Sequence, residues 1–157
     1  MVKVLFVCLG NICRSPTAEG VFRAKVADAG LADAIAVDSA GTSDWHIGEP
    51  PDARGQEAAA RRGYDLSAQR ARQVSPGDFD AFDYVIAMDQ SNVAKLSALA
   101  PAGTSVKIKM FLAFAPEVAS REVPDPYYGG PDGFDDVLDM IEAASLGLLE
   151  DIRRNHL

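Results

Sequence analysis

Apolar and polar positions along this chain switch repeatedly between two periods. Val2–Val7 is an almost unbroken apolar run, interrupted only by Lys3, and reads as a strand buried on both faces. Ser15 and Pro16 then supply a helix start, Ser15 as the N-cap and Pro16 at the first helical position. Ala18, Val21, Phe22, Val26 and Ala29 follow at helical spacing until Gly30 stops the helix. Further strands are predicted at Ile35–Ser39, Tyr84–Met88 and Val106–Met110. Asp52–Arg62 predicts a helix ended by Gly63, and Asp89 caps a shorter one that stops before Pro101. Phe134, Val137, Leu138, Ile141, Leu148, Leu149 and Ile152 mark a long amphipathic helix to the C-terminus. Between these lie two loops, 41–51 with Trp45 and a Pro/Gly-rich stretch over 113–133.

This alternation predicts an α/β fold, a doubly wound four-stranded parallel sheet with helices on both faces. Ligands of such folds sit beyond the carboxyl ends of the strands, near the first strand-to-helix turn, which points to residues 8–15. Composition narrows the function. The chain has 157 residues, 48% of them hydrophobic, which suits one packed domain over 1–157. A net charge of -8 argues against nucleic-acid binding and against docking on anionic lipid. The apolar runs Val4–Leu9 and Met110–Ala115 are too short to span a bilayer, and the N-terminus lacks the pattern of a secretory signal. Two cysteines, Cys8 and Cys13, do not make a disulfide scaffold, so a cytoplasmic protein with reduced thiols is expected. Metal binding is not expected, because His46 and His156 are isolated and two cysteines cannot close a zinc site.

The predicted turn reads Cys8-Leu9-Gly10-Asn11-Ile12-Cys13-Arg14-Ser15-Pro16. A short loop entering a helix turns several backbone N–H groups toward one point, and the helix dipole adds favourable potential for negative charge. Gly10 and Asn11 permit the unusual backbone angles such a loop needs. Arg14 offers a planar fork that matches two oxygens of a phosphate-like anion. Cys8 stands at the base of this cradle, where the donors that bind an anion also stabilise a thiolate. A thiolate beside a bound phosphoryl group is a nucleophile in position. Cys13 reads as a small packed residue, although a disulfide with Cys8 would silence the nucleophile. The loop lacks the Gly-Lys-Ser/Thr ending of a nucleotide-binding loop and the Gly-x-Gly-x-x-Gly of a dinucleotide fold. The five basic residues between Arg54 and Arg72 read as solvated charge that attracts acidic phosphopeptides if they border the site.

At these residues the chain closely resembles the low-molecular-weight protein tyrosine phosphatases. Residues 7–16 match that family's phosphate-binding loop throughout, and Asp38-Ser-Ala-Gly-Thr42, Phe82-Asp-Tyr-Val-Ile-Ala-Met-Asp89 and Asp125-Pro-Tyr-Tyr128 match its other landmarks in order. The likeness covers nearly the whole chain. It implies a flavodoxin-like sheet and hydrolysis of phosphotyrosine in proteins without metal or cofactor. Carried onto this sequence, Cys8 is the nucleophile and Asp125 the general acid. Arg14 and the amides of Leu9, Gly10, Asn11, Ile12, Cys13 and Arg14 hold the phosphoryl oxygens. Ser15 donates to the thiolate. Asn11, in a left-handed conformation, braces the loop with Ser39 as partner, and Asp89 orients Arg14. Where mammalian members place a bracing histidine, Ser67–Gln73 has none, and Gln69 is the candidate substitute.

Expelling a tyrosyl phenolate at neutral pH is helped by a proton, which an acid on a loop can deliver. Asp125 lies between Pro124 and Pro126, which stiffen its placement. Trp45, Tyr127 and Tyr128, with Leu9 and Ile12, are expected to wall a slot deep enough to favour phosphotyrosine over phosphoserine. His46 is expected at the loop surface. The implied partners are tyrosine-phosphorylated proteins and a cognate tyrosine kinase, with the enzyme a monomer. Two other readings stand beside this one. Arsenate reductases share the cradle, but a relay of thiols needs a cysteine after Cys13 and there is none, which leaves a reductase using an external thiol. A phosphate-binding or redox-sensing module is the non-enzymatic alternative.

Overall fold

The computed structural model describes residues 1–126, 130 and 132–157. Four strands, β1 (Val2–Cys8), β2 (Ile35–Gly41), β3 (Tyr84–Ala87) and β4 (Ile108–Met110), form one sheet in the order β2-β1-β3-β4. All three pairings are parallel. The central strand β1 explains its own sequence. Val2, Val4, Phe6 and Cys8 face one layer, and Leu5 and Val7 face the other. Both faces are covered, so the apolar run is continuous rather than alternating.

The helices are α1 (Arg14–Asp28), α2 (Ala53–Arg61), α3 (Asp78–Ala81), α4 (Gln90–Leu99) and α5 (Gly133–His156). Helices α1 and α5 pack on the Phe6 face, where Phe6 meets Phe22 at 5.6 Å and Phe111 at 5.0 Å between ring centroids. Phe79 of α3 and Leu96 of α4 cover the Leu5 face. This is the expected two-sided arrangement.

Two local expectations are corrected, and one helix lies where none was expected. Helix α1 begins at Arg14 with Cys13 in the N-cap position, and no side chain caps it among the described residues. Ser15 is therefore not the cap; it is fully buried and its hydroxyl is turned toward Cys8. An uncapped start leaves the first N–H groups of the helix for a ligand. Strand β4 is shorter than predicted, because Ser105–Lys107 winds into a 3₁₀ turn. The four-residue α3 has too little periodicity to be read from sequence, and a single deeply buried phenylalanine, Phe79, anchors it. The other helix starts match their signals. Asp52 caps α2 by accepting from the Arg54 N–H, and Asp89 caps α4 in a reciprocal box with Asn92.

The first turns after β1, β2 and β3 converge at one end of the sheet. Gly41 at the end of β2 is packed so closely against the β1 loop that a Cβ would lie 2.8 Å from the Leu9 carbonyl oxygen and 3.1 Å from the Asn11 nitrogen. Gly41 also exchanges backbone hydrogen bonds with Arg72 and Val74, which draws the segment after α2 up to the same loop.

Candidate active site

Beyond the carboxyl end of β1 lies a cavity of about 110 Å³ lined by Cys8, Leu9, Gly10, Ile12, Cys13, Arg14, Trp45, His46 and Asp125. Its position follows from the topology, since β1 lies between β2 and β3, where the strand order reverses. Cys8 sits at the floor. Its Sγ is 3.0 Å from the Ser15 hydroxyl.

Asn11 holds the loop in shape. It is the one non-glycine residue with positive φ among the described residues, at 57°, a left-handed geometry that asparagine tolerates better than most. Its Nδ2 donates to Ser15 Oγ at 2.8 Å and to Ser39 Oγ at 3.0 Å. Its Oδ1 accepts from the Arg72 backbone N–H at 3.0 Å. Ser39 in turn donates to Glu19 Oε1 at 2.7 Å. Gln69 does not join this brace. Its Nε2 donates to the Pro16 carbonyl at 2.9 Å, and its buried Oε1 has no partner among the described residues. The bracing role expected of Gln69 falls instead to the Arg72 backbone and to Glu19.

Arg14 is almost wholly buried. Its Nη1 donates to Asp89 Oδ2 at 2.6 Å and to the Val123 carbonyl at 3.1 Å. Its Nη2 lies 3.8 Å from Asp125 Oδ2. Burial opposes the guanidinium charge, but Cys8 and the bonded Asp89 outweigh it, and the proton is held more firmly than usual. Asp89 is itself fixed, because its other oxygen caps α4. Val123 is fixed too, its N–H donating to the Met88 carbonyl at 2.9 Å.

Cys13 also lines the cavity, yet burial first and the nearby Asp52 second push its thiol well up, so it stays protonated at neutral pH. That agrees with the packing role read for it. Trp45 lies at the rim and is 70% exposed. Tyr127 and Tyr128 lie outside the described residues. His46 is not simply a surface residue. It lines the cavity, its ring rests against Gly10, and its Nδ1 bonds Glu49.

Sequence reading missed Glu19, the Arg72 contacts and the Val123 carbonyl. Glu19 carried a faint signal, lying one helical turn after Ser15 and on the same side of α1 as Phe22 and Val26. Arg72 pairs with Asp38 and Asp78, partners that only the fold brings together. Of the other arginines in that stretch, Arg62 is committed to α5 through Asp139 and Glu142. Among the described residues no cluster of three or more metal-ligating side chains occurs, and no helix is long and apolar enough to cross a membrane.

The site can hold a tetrahedral oxyanion between the helix start and Arg14, with a sulfur beneath and a carboxyl at the lip. Known proteins agree with that chemistry. Residues 3–157 match the family model for low molecular weight phosphotyrosine protein phosphatase. The chain is 48% identical over 154 residues to a low molecular weight protein-tyrosine-phosphatase of Streptomyces coelicolor, covering 96% of this chain and 93% of that one. It is 44% identical over 137 residues to the human low molecular weight phosphotyrosine protein phosphatase, covering 86% and 85%. Among solved structures, a protein tyrosine phosphatase from Entamoeba histolytica superposes with a TM-score of 0.96 at 39% identity over 100% of both chains. A sheet of this order, a cysteine-to-arginine cradle at its first turn and a family match along almost the full length converge: the chain belongs to the low molecular weight phosphotyrosine protein phosphatases.

Proposed function

We propose that Cys8 and Asp125 carry out phosphotyrosine hydrolysis in two steps within this cavity. In the first, the Cys8 thiolate attacks phosphorus in line, the bond from phosphorus to the tyrosyl oxygen breaks, and Asp125 gives that oxygen a proton. In the second, water attacks the phosphocysteine, Asp125 takes a proton from it, and the sulfur leaves as thiolate with release of phosphate. Arg14 and the amides of residues 9–14 meet the charge on the equatorial oxygens throughout. Ser15 holds the sulfur, Asn11 and Ser39 hold Ser15, and Asp89 holds Arg14.

The observation that carries this reading is the opposition of two groups across one small cavity. Cys8 Sγ lies at the floor, 3.0 Å from Ser15 Oγ, and Asp125 stands at the lip, 3.8 Å from Arg14 Nη2. Leu9, Ile12 and Trp45 give the walls an apolar character suited to a phenyl ring. The substrates are tyrosine-phosphorylated proteins, set against a tyrosine kinase, in a cytoplasm that keeps the thiol reduced.

Cys8→Ser is expected to abolish turnover while inorganic phosphate still binds, and rapid alkaline quench of the parent protein should trap phosphate on Cys8. Normal turnover by the serine variant refutes the nucleophile. Asp125→Ala should lower kcat by about 10²–10⁴ for esters with poor leaving groups and much less for activated aryl phosphates. An equal loss across leaving groups refutes the acid.

A further inference from the structure

A groove of about 620 Å³ lies beside the β4 edge of the sheet, between the end of β4, the start of α4 and the segment over 112–121. It shares no lining residue with the catalytic cavity. Pockets that enclose small molecules hold about 300–1,000 Å³. The wall over 112–121 is anchored at both ends. Phe111 opens a 3₁₀ turn over Phe111–Phe114 and is fully buried in the core. Gly147 of α5 lets that helix close on the Phe114 carbonyl, where there is no room for a Cβ. At the other end the Val123 N–H donates to the Met88 carbonyl, and Glu122 accepts the Gln90 N–H at 2.7 Å. The groove is therefore preformed.

Its lining has two characters. Met110, Leu112, Val118 and Ala119 offer carbon surface. Gln90, Ser120 and Arg121 are polar, and the bond from Gln90 to Glu122 gathers them at one end. The Ser120 hydroxyl is engaged, donating to the Glu122 carbonyl at 2.6 Å. Arg121 makes no ion pair and no hydrogen bond among the described residues. Its sequence neighbour Glu122 is turned to the start of α4 instead. In a chain of net charge -8 an arginine without a carboxylate stands out. Arg61, Arg62 and Arg72 each pair with two or more. Carbon surface gains by shedding water onto an apolar body, and a guanidinium fork beside it matches the two oxygens of a carboxylate.

We propose that this groove is a binding site for a small apolar anion, a carboxylate of roughly ten carbons in size. Its hydrocarbon lies on Met110, Leu112, Val118 and Ala119, and its head meets the Arg121 guanidinium. The charge selects the class, since a cationic amphiphile of the same shape would face Arg121 unfavourably.

The experiment is a fluorescence titration of the full chain with anilinonaphthalene sulfonate, an apolar anion that brightens on leaving water. Saturating inorganic phosphate is present throughout, so that the catalytic cavity is filled. Near-ultraviolet circular dichroism checks folding. One probe molecule should bind per chain, and decanoate should displace it while decylamine does not. Arg121→Gln should weaken both probe and decanoate by about tenfold. Ala119→Trp, which fills the apolar end, should abolish binding. Parental affinity in either variant overturns the proposal, as does binding that fails to saturate or that is lost when phosphate is added. If Ala119→Trp does not fold, Arg121→Gln decides alone. Fluorescence reads binding and not turnover, so the outcome is separate from the role of Cys8.

Discussion

Asp89 divides its two carboxylate oxygens between two partners. Oδ1 accepts the Asn92 N–H in the first turn of α4, and Oδ2 accepts from Arg14. Replacing it separates the two duties. Asp89→Asn keeps an oxygen for the cap but removes the charge facing Arg14, so kcat/KM should fall by more than tenfold. Asp89→Ala should show the same catalytic loss and cost roughly a further 1 kcal/mol in urea denaturation, the worth of a helix cap. Gly41 is a second single-residue constraint. An added Cβ meets the Leu9 carbonyl and the Asn11 nitrogen, both main-chain atoms that cannot swing aside. Gly41→Ala should cost about 1–3 kcal/mol, the usual penalty of overpacking, and weaken phosphate binding measured by calorimetry. Both duties of Asp89 were legible in the sequence, but the close approach at Gly41 was not, since only the fold brings Leu9 and Asn11 against it.

Among the elements, the sequence disclosed what depends on neighbours along the chain. The two-sided burial of β1, the caps of α2 and α4 and the apolar stripe of α5 are local patterns, and each stands where the pattern indicated. Contacts set by the fold alone stayed hidden, such as Arg72 reaching both Asn11 and Asp38, or Glu19 reaching Ser39. The docking of the segment after α2 onto α5 is another. Arg62 pairs with Glu142, and the Tyr64 hydroxyl donates to the same carboxylate at 2.6 Å. Burial, then Glu142, pushes the Tyr64 phenol up to about 12 from its usual 10. A group that holds its proton more firmly when folded contributes stability that is complete below pH 10 and lost as pH rises toward 12. Stability to urea should therefore decline over that window, and Tyr64→Phe should make the decline shallower. An unchanged slope in the phenylalanine variant would show that the phenol is not protected there.

Seen whole, the molecule places its large apolar side chains and its chemistry on the same strand. Phe6 is fully buried between Phe22 and Phe111, two residues before Cys8. Phe6→Ala should cost about 3–5 kcal/mol in chemical denaturation, as core phenylalanine truncations do. The first turn of such a sheet was legible as a ligand site because strand order reverses about β1, a rule of topology that the alternating pattern carries. What sets the far wall was not legible, since it comes from a loop more than a hundred residues away. That wall has its own mechanical consequence. Val123 is stitched on both sides, by its N–H to Met88 and by its carbonyl to Arg14. The tether between that stitch and Asp125 is two residues long, a reach of about 7 Å at full extension. The Asp125 carboxyl thus works on a short leash from that stitch, and its travel away from Arg14 is limited by the two residues between.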